Sequence, residues 1–347
     1  DVAGVAAQLP AHRHALNLCE DRYAFLVAFC ALALRGQTSL LPHSRAPDVV
    51  LEMLERYPDS YCIGERRPDP MPPRFHPLWG GALRPVTPFA AAAAVPLLDP
   101  AALVAIGFTS GSTGQPSANP KRWHSFVAST ERNARLLAQL AGGPADVVAT
   151  VPPQHMFGME LSVLLPLLAD VAVHTGRPFF PAEVAQALAQ ASAARLLVTT
   201  PVHLRALLES GVELPPLAAI VTATAPLPQA LAAAAEQRFG APVQEMFGST
   251  ETCVIAHRRS ACEQAWTTYP GVELTPQPDG TLVDAPWYDD AVPLQDLVEL
   301  LPGGRFLLRG RHSDQVEIAG KRASLGELTQ RLLAIPGVRD GIVFQAD

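Results

Sequence analysis

Apolar runs alternate with amphipathic stretches through most of the chain, and this alternation predicts strands separated by helices. The run YAFLVAFCALAL predicts a buried helix over 23–34, with Glu20 and Asp21 in its first turn and Gly36 just past its end. The pattern further predicts buried strands at 103–108, 146–151, 195–201, 217–223 and 242–248, and helices at 202–209 and 229–239. This order is typical of an α/β fold with mostly parallel sheets flanked by helices.

The pattern changes after about residue 300, where hairpin-like strands precede a helix. Ser324 and Glu327 have the spacing of a capping box, and the leucines that follow have helical spacing. We therefore predict a large N-terminal domain over 1–309 and the beginning of a small, mobile α+β C-terminal domain over 310–347. We expect the small domain to be truncated, because one strand after its helix is too little to close a core.

Polar clusters follow the predicted strands at their carboxyl ends. They are TSGSTG (109–114), PPQHMFG (152–158), TATAPLP (222–228) and GSTET (248–252). Ligands of parallel sheets bind at the carboxyl ends of the strands. The sequence therefore predicts that these clusters form one site.

The first cluster packs hydroxyls and glycines into a single turn, which is typical of a phosphate-binding loop. Glycines let backbone N–H groups point into one concavity, and hydroxyls add neutral donors. No Gly-Lys-Ser/Thr follows, so this is not a loop of the Walker type. By itself, the stretch is equally consistent with a solvated turn.

Three further residues have suitable chemistry for a nucleotide. Thr250 can donate to a phosphate, and the neighbouring Glu251 can hold Mg²⁺. Asp296 lies between apolar residues, where a carboxylate suits bidentate binding of a ribose diol. The alternative for Asp296 is an acid at a strand edge that faces water.

Composition narrows the class of protein. The formal net charge of −7 argues against a nucleic-acid partner, and hydrophobic residues at 48% indicate a globular chain. Five cysteines without a CxxC pair predict free thiols in a reducing cytoplasm. The longest apolar run is too short to span a bilayer, and no signal peptide is visible, so we expect a cytoplasmic protein.

Four motifs, in this order, make the chain resemble the adenylate-forming superfamily. They are FTSGSTGQP (108–116), MFGSTET (246–252), QDLVEL (295–300) and GRHSDQVEIAGKRASLGE (310–327). The superfamily includes acyl- and aryl-CoA synthetases, nonribosomal peptide synthetase adenylation domains and luciferases. The segment 16–42 looks most like acyl- or aryl-acyl-carrier-protein synthetases, the "AMP-ligase" proteins of aryl polyene and xanthomonadin-type pigment clusters.

The resemblance implies that a carboxylate attacks the α-phosphate of ATP and that a thiol then takes the acyl group. The implied nucleotide-binding residues are Thr109, Ser110, Gly111, Ser112, Thr113 and Gly114 for the β- and γ-phosphates, Phe247 and Gly248 near adenine, and Asp296 with Arg311 for the ribose. The implied catalytic residues are Thr250 at the α-phosphate, Glu251 as the Mg²⁺ ligand, Arg322 near the phosphates, and His155 between the acyl pocket and the thiol route. The alternative for His155 is a hydrogen-bonded core histidine.

Three departures from the family pattern bear on activity. Ser117 stands where the phosphate loop usually has lysine, and Lys121 either reaches the loop or is simply an exposed lysine. Ser313 and Asp314 occupy an altered hinge. The family's catalytic lysine would lie beyond Asp347, so we expect this stretch to bind nucleotide but to adenylate poorly.

The expected acyl pocket is apolar and includes small residues, and it contains no group that would bind an amino acid's ammonium. Its predicted lining is His155, Met156, Phe157, Gly158, Ala223, Thr224, Ala225 and Met246, although Met156 is equally typical of a core. We therefore favour an aryl or fatty acid, with the phosphopantetheine of an acyl carrier protein as acceptor. The alternatives are a ligase that uses free CoA and a catalytically silent nucleotide-binding scaffold.

Overall fold

The computed structural model describes residues 1–81, 95–109, 117–311, 315–318, 321–325, 328–329, 332, 335, 337–338 and 341–344. Its contacts divide the chain into two compact units: Asp1–Thr199 with Val212–Ala218, and Thr200–Gly211 with Ala219–Asp347. The domain boundary after residue 309 stays a prediction. The described backbone continues through that position as the strand Arg305–Arg311.

The described residues of the first unit include a six-stranded sheet in the order β4-β3-β1-β2-β5-β6. The strands are β1 (His14–Asn17), β2 (Thr38–Leu41), β3 (Ser60–Gly64), β4 (Phe75–Pro77), β5 (Leu103–Thr109) and β6 (Ser117–Arg122). All neighbouring pairs are parallel except β5 and β6, which pair antiparallel. Helices α1 (Val2–Ala6), α2 (Arg22–Leu34) and α3 (Pro47–Arg56) belong to the same unit, as does a short 3₁₀ turn at Leu78–Gly81.

The second part of the first unit is built around β7 (Ala145–Ala149). This strand pairs in parallel with β8 (Val171–Val173) and β9 (Ala194–Thr199). The helices here are α4 (Trp123–Ala141), α5 (Met156–Met159), α6 (Leu165–Leu168) and α7 (Pro181–Ala189). Residues Glu160–Leu164 form a π-helical stretch between α5 and α6, so 156–168 is one helical segment with a widened middle.

Helix α2 shows why the apolar run 23–34 folds as predicted. The Asp21 side chain caps the helix by accepting a hydrogen bond from the Ala24 N–H at 2.9 Å. Gly36 follows the helix with φ +67°, a conformation that costs glycine little. Most of the helix is buried, including Phe25 and Phe29. The predicted buried helix is confirmed, but Glu20 and Asp21 are not in its first turn, because Asp21 is the N-cap and Glu20 precedes it.

The second unit begins with α8 (Pro201–Ser210), β10 (Ala219–Thr222), α9 (Gln229–Phe239) and β11 (Val243–Ser249). The later strands are β12 (Cys253–Arg259), β13 (Trp266–Thr268), β14 (Glu273–Gln277), β15 (Gly280–Asp284), β16 (Val292–Leu294), β17 (Asp296–Leu301), β18 (Arg305–Arg311), β19 (Gln315–Ile318) and β20 (Lys321–Ser324). Strands β10 and β11 are parallel, whereas the pairs that follow along β11-β12-β13-β18-β17 are antiparallel. Strands β14, β15 and β16 form a separate antiparallel sheet, and β19 pairs with β20.

The α/β prediction is confirmed, and the sheets are mixed. Helices α8 and α9 end at Gly211 and Gly240, both with positive φ, as the sequence predicted. The antiparallel pair β5–β6 of the first unit and the antiparallel strands of the second unit account for the mixed character. Antiparallel neighbours can be joined by a short hairpin and need no crossover helix. All five cysteines lie in the described ranges and are free, as expected. Among the described residues, no helix has the length and apolarity needed to cross a membrane.

Candidate active site

The segment before the predicted phosphate loop is the end of β5, which pairs with β6 in an antiparallel hairpin. Thr109 lies opposite Ser117, and their hydroxyl oxygens are 2.5 Å apart. The described residues do not include Ser110, Gly111, Ser112, Thr113 and Gly114.

Lys121 pairs with Ala105 and is only 5% exposed, so the interpretation as an exposed lysine is wrong. It lies four residues, about 13 Å, along the strand from Ser117, and a role for it in the loop stays a prediction.

His155 lies before α5, at the edge of a cavity of about 730 Å³ that is lined entirely by the first unit. The lining residues are Glu20, Asp21, His43, Ser44, Arg45, Ala46, Glu65, Arg66, Gln154, His155, Gly176 and Arg177. The His155 Nε2 atom lies 3.1 Å from the carbonyl oxygen of His43, to which it donates. Desolvation lowers the pKa of His155, and the charges of Arg45 and Arg177 lower it further. The imidazole is therefore neutral at pH 7.

The carboxylates of this cavity already have partners within the chain. Glu65 accepts hydrogen bonds from the backbone N–H groups of Glu20 and Asp21, and Arg66 lies 3.9 Å from Glu20. Asp21 caps α2. The carboxylates of Glu20, Asp21 and Glu65 therefore already interact with N–H groups of the chain or with Arg66.

Two other lining side chains have buried polar atoms that are unsatisfied among the described residues. These atoms are Nε and Nη2 of Arg45 and Oε1 of Gln154, a side chain that is 7% exposed. Desolvation lowers the pKa of Arg45. An unsatisfied buried polar atom destabilises a fold by about 1–3 kcal/mol, so such atoms in a cavity indicate a polar ligand.

Arg22 holds the segments around this cavity in place. The side chain is 2% exposed and donates to the carbonyl oxygens of Ala149 and Val151, each at 2.6 Å. It also donates to the Ser162 hydroxyl at 2.6 Å and to the Gly176 carbonyl at 3.3 Å. All four acceptors are uncharged. Desolvation lowers the pKa of Arg22 to about 9, so the guanidinium still carries its charge at pH 7.

The remaining residues of the PPQHMFG cluster are packed tightly. Met156 and Phe157 are 8% and 7% exposed, which agrees with a core role for much of their surface. A Cβ atom on Gly158 would lie 2.0 Å from the Pro152 carbonyl oxygen. Only glycine fits there, so Gly158 is explained by a close backbone approach.

In the second unit, Thr250 and Glu251 form the turn between β11 and β12. The Ser249 hydroxyl accepts from the N–H groups of Glu251 and Thr252, and the Thr252 hydroxyl accepts from the Ser249 N–H. The Tyr288 hydroxyl donates to the Thr252 carbonyl at 2.6 Å. The side chains of Ser249 and Thr252 thus hold the turn, while Thr250 and Glu251 are half-buried at its tip.

Phe247 and Gly248 lie immediately before this turn. The Phe247 ring is half-buried and contacts Trp266 and Phe306, with centroid distances of 5.3 and 5.8 Å. A Cβ atom on Gly248 would lie 2.1 Å from the Cys253 carbonyl oxygen, so the turn requires glycine there. The cluster gives Phe247 a fixed orientation, which suits an aromatic side chain that packs on a flat ring.

The loop after β10 carries the second set of predicted pocket residues. Ala223 and, on β11, Met246 are buried, whereas Thr224 and Ala225 are exposed. Thr224 has φ +80°, a strained conformation for a β-branched residue, and such strain is often found at functional sites.

Glu245 ties this loop to the β11–β12 pair. Its carboxylate accepts from the Leu227 N–H at 3.2 Å and from the Ser260 hydroxyl at 2.6 Å. The Arg258 guanidinium donates to the same carboxylate at 2.7 Å and lies over the Trp266 ring. The result is a buried acid whose oxygens are satisfied by charge and by neutral donors.

The structure brings the two predicted ribose-binding residues together. Asp296 begins β17 opposite Arg311 of β18, and Arg311 Nε lies 3.4 Å from Asp296 Oδ1. Arg322 lies on β20 opposite Glu317. The hinge residues Ser313 and Asp314 lie outside the described residues.

Among the described residues, no group of three or more His, Cys, Asp or Glu side chains is placed to hold a metal ion. Mg²⁺ is commonly held by one or two carboxylates with substrate phosphates and water. The single half-buried Glu251 fits that mode.

Sequence reasoning missed Arg22, Arg45, Gln154 and Arg177 around the cavity and Glu245 beside the β10 loop. Arg22 and Arg45 lie more than 100 residues before His155 along the chain. The sequence contained one sign of such a residue: Glu245 is a charged residue within the otherwise apolar pattern of β11. A buried charge needs a partner, and the partners become visible only in three dimensions.

The chain is similar to known proteins in sequence and in fold. Residues 5–285 match the family of AMP-binding enzymes. A 4-coumarate–CoA ligase from Rhodobacter capsulatus is 33% identical over 235 residues, which cover 66% of this chain and 57% of that protein. The chain thus matches little more than half of the length of this relative.

Solved structures share the fold. The O-succinylbenzoate coenzyme A synthetase MenE from Bacillus subtilis, in complex with AMP, has a TM-score of 0.77 and 18% identity, covering 98% of this chain and 77% of that chain. A malonyl-CoA ligase with methylmalonyl-CoA and AMP bound has a TM-score of 0.70 and 20% identity, covering 98% of this chain and 80% of that one. At these identities, the likeness concerns the fold.

Proposed function

The chain belongs to the family of AMP-binding enzymes, and on that premise we propose that it serves ATP-dependent activation of a carboxylic acid. An oxygen of the acid's carboxylate attacks the α-phosphorus of ATP, the bond to the β-phosphate breaks, and pyrophosphate leaves. A phosphopantetheine thiol then attacks the acyl carbon, and AMP leaves. The acid is an aryl or fatty acid, and the acceptor that we favour is an acyl carrier protein.

The observation that carries this proposal is the β11–β12 turn. Ser249 and Thr252 hold the backbone, so the half-buried Thr250 and Glu251 are presented in a fixed geometry. A preorganised donor of this kind stabilises developing charge more effectively than water does, and losing one donor typically lowers the rate about 10²- to 10³-fold. We assign Thr250 to the α-phosphate.

Mg²⁺ would be held by Glu251, where it would reduce the repulsion between the attacking carboxylate and the phosphates. In the same unit, we assign Phe247 with Gly248 to adenine and Asp296 with Arg311 to the ribose. In the first unit, we assign Thr109 and residues 110–114 to the β- and γ-phosphates. Arg322 is assigned to the phosphates by its motif alone.

We propose the class of the acid from the predicted acyl-pocket residues and from one relative of the chain. The predicted acyl-pocket residues Ala223, Ala225 and Met246 are small or apolar, as are Phe157 and Gly158, which suits a flat ring or a slim chain. The relative from Rhodobacter capsulatus is a 4-coumarate–CoA ligase, which favours an aromatic acid. Thr224 is assigned to the same pocket.

We propose the type of thiol acceptor from the polar side chains that line the cavity beside His155. Arg45 and Arg177 line it, and the unsatisfied atoms of Arg45 and Gln154 favour a ligand with anionic or strongly polar groups. Phosphopantetheine has both a phosphate and amides. Free CoA shares this chemistry and is the alternative acceptor, which the CoA ligases among the relatives favour.

Pyrophosphate exchange into ATP, measured on the full-length protein with a panel of aryl and fatty acids, tests the proposal. We expect exchange with at least one acid and a loss of 100-fold or more in Glu251→Ala at an unchanged melting temperature. Glu273→Ala, an exposed glutamate of the same unit, is the control and keeps full exchange. Equal loss of exchange and folding in Glu251→Ala would assign Glu251 a structural role.

The replacement of the loop lysine by Ser117 favours a second candidate, a catalytically silent scaffold that binds nucleotide. In the structure, Ser117 is paired with Thr109. Calorimetry with millimolar ATP and Mg²⁺ separates the two candidates. Heat of binding without exchange for any acid supports the scaffold, whereas binding with exchange supports the ligase.

A further inference from the structure

Two exposed aromatic rings stand side by side on the segment between β8 and α7. Phe179 and Phe180 are 53% and 62% exposed. Their ring centroids are 5.2 Å apart and the rings are nearly perpendicular, at 89°. Large aromatic side chains in contact with each other on a surface are typical of binding sites for other proteins.

The backbone beneath these rings is held rigidly. Glu183 Oε2 accepts hydrogen bonds from the N–H groups of Phe179 and Phe180, at 2.9 and 3.1 Å. Pro178 is buried on one side, and Pro181 opens α7 on the other. A surface that is fixed before binding loses little conformational entropy when a partner docks.

The aromatic pair lies beside the cavity that borders His155. Arg177, which lines this cavity, precedes Phe179 by two residues, so their Cα atoms are at most about 7 Å apart. Arg177 is itself exposed, and Arg45 lines the same cavity. The first unit thus presents, next to an apolar pair, a cavity with three arginines and with three carboxylates that already have partners in the chain.

We propose that Phe179 and Phe180 are the docking surface for a carrier-protein domain whose phosphopantetheine arm enters this cavity. The inference rests on the proposed function, because that function supplies the thiol acceptor. The arginines complement the phosphate at the base of the arm and acidic side chains around it. The rings lie outside the cavity lining. They therefore bind an acceptor that has a protein body and do not contribute to the binding of free CoA.

The test compares acceptors of different size on the full-length protein. Wild type and the double variant Phe179→Ala/Phe180→Ala are assayed for pyrophosphate exchange, for transfer to free CoA, and for transfer to the holo carrier protein that wild type loads fastest among those of the source organism. We expect kcat/KM for the carrier protein to fall tenfold or more, mainly through KM. Exchange and transfer to CoA stay within twofold of wild type.

Matched variants control for folding and for non-specific loss of apolar surface. Phe179→Tyr/Phe180→Tyr keeps the rings and restores most of the transfer to the carrier protein. Leu51→Ala removes another exposed apolar side chain of the same unit and leaves all three activities unchanged. Melting temperatures of all variants stay close to that of wild type.

Several outcomes would overturn the inference. These are an unchanged kcat/KM for the carrier protein in the double variant, equal losses for the carrier protein and CoA, or a wild type that loads CoA and no carrier protein. Conversion of a wild-type dimer to a monomer by the double variant would show that a second copy of the chain occupies the pair. Absence of exchange in wild type with every acid would instead overturn the proposed function itself.

Discussion

Both units bury charged side chains beside predicted site residues, and two of them, Arg22 and Glu245, are compensated differently. In the second unit, Glu245 is 3% exposed and accepts from the Arg258 guanidinium, the Ser260 hydroxyl and the Leu227 N–H. In the first unit, Arg22 is 2% exposed and donates only to carbonyl oxygens and a hydroxyl. The acid is neutralised by a counter-charge, whereas the guanidinium is solvated by neutral dipoles.

The difference decides how far the electric field of each charge extends. A charge with a nearby counter-charge is felt mainly by its contacts, whereas an uncancelled charge is felt at longer range. The field of the Glu245–Arg258 pair falls off quickly, because the opposite charges are 2.7 Å apart. The charge of Arg22 is not cancelled in this way: desolvation and the charges of Arg177 and Arg45 lower the pKa of its guanidinium. We infer that Arg22 holds the cavity walls through its contacts with neutral dipoles.

The largest effect is expected for Arg22→Met. The change leaves the carbonyl oxygens of Ala149 and Val151 without their donor in a buried place, and we expect unfolding to become easier by about 3–5 kcal/mol. Urea denaturation measures this. Arg35→Met, an exposed arginine just after α2, is the control and changes stability by less than about 0.5 kcal/mol. Equal losses of stability in Arg22→Met and Arg35→Met would show that the buried hydrogen bonds of Arg22 do not stabilise the fold.

A smaller effect is expected for Glu245→Gln. The amide keeps the shape of the carboxylate but leaves the Arg258 charge without its counter-charge, which we expect to destabilise the fold by about 2–4 kcal/mol. In a double-mutant cycle with Arg258→Met, the two changes together cost less than the sum of the single changes. Strict additivity in urea denaturation would show that the pair is not coupled.

A third prediction concerns the pH dependence of stability through His155. Its pKa is lowered in the folded state, so the unfolded chain binds more protons, and the free energy of unfolding falls as pH decreases through about 6.5. His76 and His257 shift in the same direction. We therefore expect His155→Gln to flatten the decline between pH 7 and pH 5 without abolishing it. Identical slopes for the variant and wild type would contradict the assigned pKa direction.

The smallest effect is expected for Thr224→Gly. Glycine adopts φ +80° without strain, and this relief outweighs the added entropy of the unfolded chain, so stability rises by up to about 1 kcal/mol. Ala225→Gly is the matched control next to it, and it lowers stability by about 0.5–1 kcal/mol. Thermal unfolding of both variants compares them. A loss of stability in Thr224→Gly as large as in Ala225→Gly would show that Thr224 is not strained.

The sequence predicted the elements well where local chemistry decides them. Helix α9 begins at Gln229 and ends before Gly240 as expected, because the αL stop is a local property of glycine. Asp296 and Arg311, both assigned to the ribose by the family resemblance, lie in contact, and their shared role stays a prediction. The environment of His155 was not predictable, because Arg45 and Arg177 reach it from different strand ends and show no shared spacing in the chain.

Gly158 and Gly248, two glycines among the predicted site residues, leave no room for a Cβ atom and so restrict which substitutions the proposed site accepts. A methyl group at Gly158 or Gly248 would overlap a backbone carbonyl oxygen, at 2.0 and 2.1 Å, and a backbone cannot retreat as a side-chain tip can. Substitutions that probe the proposed acyl pocket have room at exposed neighbours such as Thr224 and Ala225. Libraries that test the proposed acid specificity are best built at these two positions, with Gly158 and Gly248 kept constant.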